Sequence, residues 1–102
     1  TDFVIDDVVE KPSTKKAPSN NAVIGRYILP RTIFKKIKLL KPIKGSEIHI
    51  TNAIRLLIKD KEKFIAHNFK GKYLDCGTMN GYINSSKELG KLWRYVWLVL
   101  DM

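Results

Sequence analysis

Apolar and polar residues alternate in short blocks along this chain, and the spacing within each block predicts an element. Phe3, Val4 and Ile5, then Val8 and Val9, form one β-rich run interrupted by Asp6 and Asp7. Such β-branched runs read as strands. Two adjacent acids are a possible metal site, but a surface bulge or turn accounts for them more simply. Residues 12–21 are polar, with two prolines, two serines and two asparagines, and read as a loop. Ala22 to Leu29 is again β-rich and predicts a central strand. Gly25 inside it points to a close backbone approach by either a ligand or another strand.

Helical periods follow. Pro30 opens a short helix in which Ile33, Phe34, Ile37 and Leu40 share a face, with Lys35, Lys36 and Lys38 largely outside it. Pro42 and Gly45 end it. Ile50, Ala53, Ile54, Leu57 and Ile58 follow the i, i+3, i+4, i+7, i+8 rule, so a second amphipathic helix is expected, capped by Thr51 or Ser46. Phe64 to Phe69 reads as a strand, Lys70-Gly71-Lys72 as a turn and Tyr73 to Cys76 as a short strand. A third helix is expected from Met79 or Asn80, with Thr78 as its cap. The order is β, loop, β, α, α, β, β, α, a mixed α/β pattern without regular βα alternation.

Composition narrows the functional classes. The 102 residues carry 19 basic and 10 acidic side chains, a formal charge of +9. That field attracts anions such as nucleotides, nucleic acid or acidic membranes. Lysines supply 15 of the 19 cations, and lysine is a point charge rather than a bidentate reader. Many of them sit on expected helix faces and loops, so a solvated surface is favoured over a nucleic-acid footprint. No zinc, helix-turn-helix or RNA-recognition signature is present. One cysteine, Cys76, excludes an internal disulfide and a cysteine metal cluster, and suits a reducing cytoplasm. It is expected to be a small buried residue. His49 and His67 fall on different elements and are expected to be structural. No signal peptide or membrane span is read from the chain.

The candidate chemistry centres on Val9-Glu10-Lys11-Pro12. Pro12 cannot continue a ladder and biases Lys11 towards an extended backbone, so Glu10 and Lys11 are expected at a strand end, on opposite sides of the pleat. A carboxylate there can accept hydroxyl hydrogen bonds while the ammonium meets a phosphate, a pairing suited to a phosphorylated sugar. Asp75 stands where a short strand gives way to Gly77 and a helix, a place where a carboxylate can hold Mg²⁺.

These residues belong to an ordered series. It comprises Val9-Glu10-Lys11-Pro12, Ala17-Pro18-Ser19-Asn20, Ala22-Val23-Ile24-Gly25-Arg26-Tyr27, Glu47-Ile48-His49-Ile50-Thr51-Asn52-Ala53-Ile54 and Tyr73-Leu74-Asp75-Cys76-Gly77. In order and spacing the series resembles the C-terminal half of bacterial UTP–glucose-1-phosphate uridylyltransferases, from about residue 4 to about residue 89. The resemblance implies a Rossmann-like mixed sheet with flanking helices, residues 1–90 forming the sugar-binding portion and residues 91–102 a divergent apolar tail.

By the same resemblance, Glu10 grips sugar hydroxyls and Lys11 contacts the sugar phosphate. Val23 and Gly25 lie where the backbone passes the sugar ring, and Asp75 helps to hold Mg²⁺. The substrates implied are UTP and glucose 1-phosphate, giving UDP-glucose and pyrophosphate in a cytoplasmic enzyme that is a homo-oligomer when complete. His49 and Asn52 stand where the family usually has Gln and Asp. The family's glycine-rich nucleotide cradle is not among these residues, so the chain alone is expected to be inactive. An inactive remnant and a small basic nucleic-acid-binding domain are the alternatives.

Overall fold

The strongest apolar stripe in the chain forms the helix on which the core is built. The computed structural model describes residues 1–92. They fall into two compact units, the first Thr1–Phe69 and the second beginning at Lys70. Most of the expected tail, residues 93–102, lies outside the described residues.

In the first unit, β1 (Phe3–Ile5) precedes α1 (Ile33–Leu39), α2 (Ile50–Lys59) and β2 (Phe64–Ala66). Helix α2 turns Ala53, Ile54 and Leu57 inwards, each at most 2% exposed. They meet Ile33 from α1 and Val8 from the segment after β1, with Leu29, Ile37, Leu40, Ile58 and Phe64 packed around them. Burying such side chains is worth about 1.5–3 kcal/mol each, and this cluster holds α1 against α2. The strands β1 and β2 pair antiparallel, with Phe3 opposite Ala66, Val4 opposite Ile65 and Ile5 opposite Phe64.

Helix ends show how local chemistry fixes the boundaries. Ile33 N–H donates to the Pro30 carbonyl at 3.0 Å, so the proline begins the turn that becomes α1. Lys36 departs from the expected outer face. It is half-buried and forms an ion pair with Asp60, just past the end of α2. Helix α2 ends in two reversed bonds, Lys61 N–H to the Ile58 carbonyl and Glu62 N–H to the Leu57 carbonyl, both 3.0 Å. This is the Schellman pattern, which needs a left-handed residue just after the cap. Lys61 fills that position at φ +67. Neither Thr51 nor Ser46 caps α2. The cap position is His49, with no side-chain hydrogen bond to the helix.

Four strand expectations are corrected. Val8 and Val9, residues 22–29 and residues 73–76 form no strand, and the strand from Phe64 stops at Ala66. A strand exists only with a hydrogen-bonded neighbour, and the described ladder is the three-residue pairing of β1 with β2. Val23 and Ile28 are consequently exposed rather than central. Gly25 sits at φ +75 with open space where a Cβ would stand, so its role within the chain is a left-handed turn, not close approach by another strand.

The second unit contains α3 (Met79–Gly90). Thr78 is its cap, as its position predicts. The Thr78 hydroxyl accepts from Gly81 N–H at 3.0 Å, satisfying one of the free donors of the first turn.

Candidate functional site

Glu10 lies in a bend after the β1 segment and not at a strand end. Its position is fixed instead from α2. The Thr51 hydroxyl, in the first turn of that helix and 4% exposed, donates to Glu10 Oε2 at 2.8 Å. His49 Nδ1 stands 4.0 Å from the other oxygen, Oε1, beyond hydrogen-bonding reach. Tyr27 is near enough that, after partial burial, the Glu10 charge further raises its phenol above its ordinary value. Glu10 is therefore a half-buried acid with one oxygen anchored and one open.

Lys11 follows at φ +39, in the left-handed region and not extended as its proline neighbour suggests. With the ladder ending at Ile5, no pairing holds this segment straight, and the bend turns the chain before Pro12. Lys11 is exposed, and no hydrogen bond or ion pair holds its ammonium among the described residues. Val23 and Gly25 occupy the irregular segment before α1. No hydrogen bond joins them to Glu10 or Lys11 among the described residues, and Tyr27 is the residue of that segment that senses the acid.

A second pair braces the same region. Arg55 on α2 donates through Nε to Asp7 Oδ1 at 2.7 Å and through a terminal nitrogen to Oδ2 at 2.9 Å. That fork holds the Asp7 carboxyl below its usual range. Both Asp7 oxygens are thus engaged by a guanidinium, which removes the metal reading of Asp6-Asp7. Two acids three residues apart, Asp7 and Glu10, are each fixed by α2.

In the second unit, Asp75 is exposed, and its Oδ1 accepts from Gly77 N–H at 2.9 Å. That Asx turn explains the Asp-x-Gly spacing, because the carboxylate holds the backbone two residues on. The Asp75 carbonyl packs under α3 so closely that a Cβ on Gly81 would stand 2.3 Å from it. The Ser85 hydroxyl also reaches this carbonyl at 3.4 Å. Asp75 Oδ2 is left open. Following Asp75 in sequence, Cys76, Gly77, Thr78, Met79 and Tyr82 line a shallow depression of ≈ 370 Å³. Cys76 is exposed there, contrary to its expected burial. One open carboxylate oxygen suits Mg²⁺, which takes a few protein ligands and completes its shell with water and phosphate. No group of three His, Cys, Asp or Glu side chains converges among the described residues.

The sequence signals neither the Thr51–Glu10 nor the Arg55–Asp7 contact, and Thr51 is expected from it only as a helix cap. The partners lie 41 and 48 residues apart, beyond any local spacing.

Residues 1–91 match the family described as nucleotidyl transferase. The chain is 51% identical over 80 residues to a UTP–glucose-1-phosphate uridylyltransferase of Pseudomonas aeruginosa, covering 78% of this chain and 28% of the relative. To the Escherichia coli K12 protein of the same name it is 45% identical over 83 residues, 81% of this chain and 27% of that one. A Streptococcus pyogenes protein, UTP–glucose-1-phosphate uridylyltransferase 2, is 40% identical over 86 residues, 84% of this chain and 28% of its own length. The chain thus spans less than a third of the length of these curated relatives.

Proposed function

The chain belongs to the nucleotidyl transferase family, and on that premise we propose that it forms the sugar-phosphate-binding part of a UTP–glucose-1-phosphate uridylyltransferase. The observation that carries this reading is the Glu10–Lys11 pair, an acid with one anchored oxygen and one open oxygen beside an ammonium with no partner among the described residues. The open acceptor suits a sugar hydroxyl, and the ammonium suits the phosphate on the same sugar.

In the reaction proposed, a phosphate oxygen of glucose 1-phosphate forms a bond to the α-phosphorus of UTP. The bond from that phosphorus to the pyrophosphate leaving group breaks in line. No covalent protein intermediate is required. Lys11 offsets negative charge on the sugar phosphate, and Glu10 fixes the ring that carries it. Asp75 Oδ2 is the oxygen proposed to hold Mg²⁺, which when bound supplies further charge neutralisation. Val23 and Gly25 are proposed to border the sugar.

The nucleotide cradle of the proposed enzyme is supplied by sequence beyond these residues, within a Rossmann-like mixed sheet and a homo-oligomeric, cytoplasmic protein. Among the described residues no helix is long and apolar enough to cross a membrane.

The test is pyrophosphate release from UTP and glucose 1-phosphate with Mg²⁺. The 102-residue chain alone is expected to release none above a protein-free blank. In a longer protein carrying this segment, Lys11→Ala should lower turnover by roughly 10²–10³-fold, the usual weight of one such electrostatic group. Asp75→Asn should raise the Mg²⁺ requirement. Lys35→Ala, on an exposed face of α1, should change little. Equal losses in all three would favour a diffuse basic surface over this site.

A further inference from the structure

We propose that Thr51 is a positioning residue for Glu10, aiming the open Oε1 at a hydroxyl of the sugar phosphate. The inference rests on the sugar-phosphate reading above and adds to it the residue that sets the acid's orientation. Thr51 lies in the first turn of α2, where a threonine hydroxyl ordinarily caps or back-bonds the helix. Here its single proton goes to Glu10 Oε2, 41 residues away in sequence, at 2.8 Å. The threonine is 4% exposed, and its neighbours in α2, Ala53, Ile54 and Leu57, are the core of the unit. The donor is therefore carried on the most rigidly packed element available.

An acid on an irregular bend has no such rigidity of its own. One fixed oxygen fixes the plane of the carboxylate, and Oε1 then points away from the anchor. His49 Nδ1, at 4.0 Å, flanks Oε1 without occupying it. In Glu10→Gln one of the two terminal acceptors becomes an NH₂, so the side chain can no longer accept at the Thr51 anchor and at the ligand together as the carboxylate does.

The experiment uses the 102-residue chain with ¹³C-labelled glutamate, titrated with glucose 1-phosphate. Without ligand, Thr51→Val should move the Glu10 carboxyl signal, and Thr51→Ser, which keeps the hydroxyl, should leave it close to its original place. With ligand, Thr51→Val should weaken binding about tenfold, the weight of one hydrogen bond to a charged group, and Thr51→Ser should restore it. In the Glu10→Gln background, Thr51→Val should bring no further loss. If the unsubstituted chain does not respond to glucose 1-phosphate, the sugar-phosphate reading falls and the ligand role falls with it. Intact binding with an unmoved Glu10 signal in Thr51→Val overturns the positioning role alone. Should Thr51→Val fail to fold, Thr51→Ala, which removes the hydroxyl without adding bulk, decides. Undiminished binding with an unmoved Glu10 signal in that variant overturns the proposal.

Discussion

Glu88 shows how single side chains are tuned in the second unit. Lys72 and Lys91 both donate to its carboxylate, and the Lys72 bond is the larger cause of a pKa lowered from 4.5 to about 2. The ionised form is favoured only in the folded chain. Its contribution is therefore complete above pH 4.5 and is lost as pH falls towards about 2. Because the group is exposed, salt should shrink the effect. An NMR titration of Glu88 should give a midpoint near 2, rising more in Lys72→Ala than in Lys91→Ala. A midpoint at the ordinary carboxylate value would contradict this geometry. At this scale the sequence was readable where partners are near. Thr78 and Asp75 hold donors three and two residues on. The Thr51–Glu10 and Arg55–Asp7 contacts span α1 and a long irregular segment, and nothing in either neighbourhood announces them.

Helices and strands differed in legibility for a related reason. A helix satisfies its backbone within one segment, so the stripe from Ile50 to Ile58 sufficed to predict α2. A strand needs a neighbour, and the β-rich residues 22–29 have none among the described residues. The junction before α3 yields a sharp prediction. Alanine normally improves a helix by about 1 kcal/mol over glycine. At Gly81 the new Cβ would stand 2.3 Å from the Asp75 carbonyl, a backbone atom with little freedom to retreat. Gly81→Ala should therefore destabilise the second unit by about 1–3 kcal/mol, reversing the usual sign. Amide exchange in α3 should accelerate in the variant. Slower exchange would show that the close approach is not tight.

At the scale of the molecule, each unit leaves large apolar side chains exposed. The buried core of the first unit comprises Val8, Ile33, Ala53, Ile54 and Leu57, while Ile28, Phe34, Leu39 and Ile43 are 64–101% exposed. In the second unit Met79 and Tyr82 are more than half exposed. Exposed apolar side chains of this kind favour association. The chain should sediment as concentration-dependent oligomers, and Phe34→Ser with Ile43→Ser should reduce association without unfolding α2. A monomer over the whole accessible concentration range would refute this. The large mixed sheet implied by the resemblance was not legible from these residues as a physical object. Its strands require neighbours that the described ladder does not contain.

Lys11 and Lys61 both adopt left-handed backbone conformations, at φ +39 and +67. For a residue with a Cβ this costs on the order of 1 kcal/mol relative to glycine. At Lys61, Lys61→Gly should therefore raise the melting temperature at no cost to the proposed chemistry. At Lys11 the same relief comes from Lys11→Gly, which deletes the ammonium proposed to meet the phosphate. Drift towards a sturdier fold and selection for the charged group would then pull in opposite directions at one codon. Thermal melts of the two variants in the chain, set beside sugar-phosphate affinity, measure that conflict. Equal gains in melting temperature with loss of affinity at Lys11 alone would identify its lysine as retained against the interest of stability.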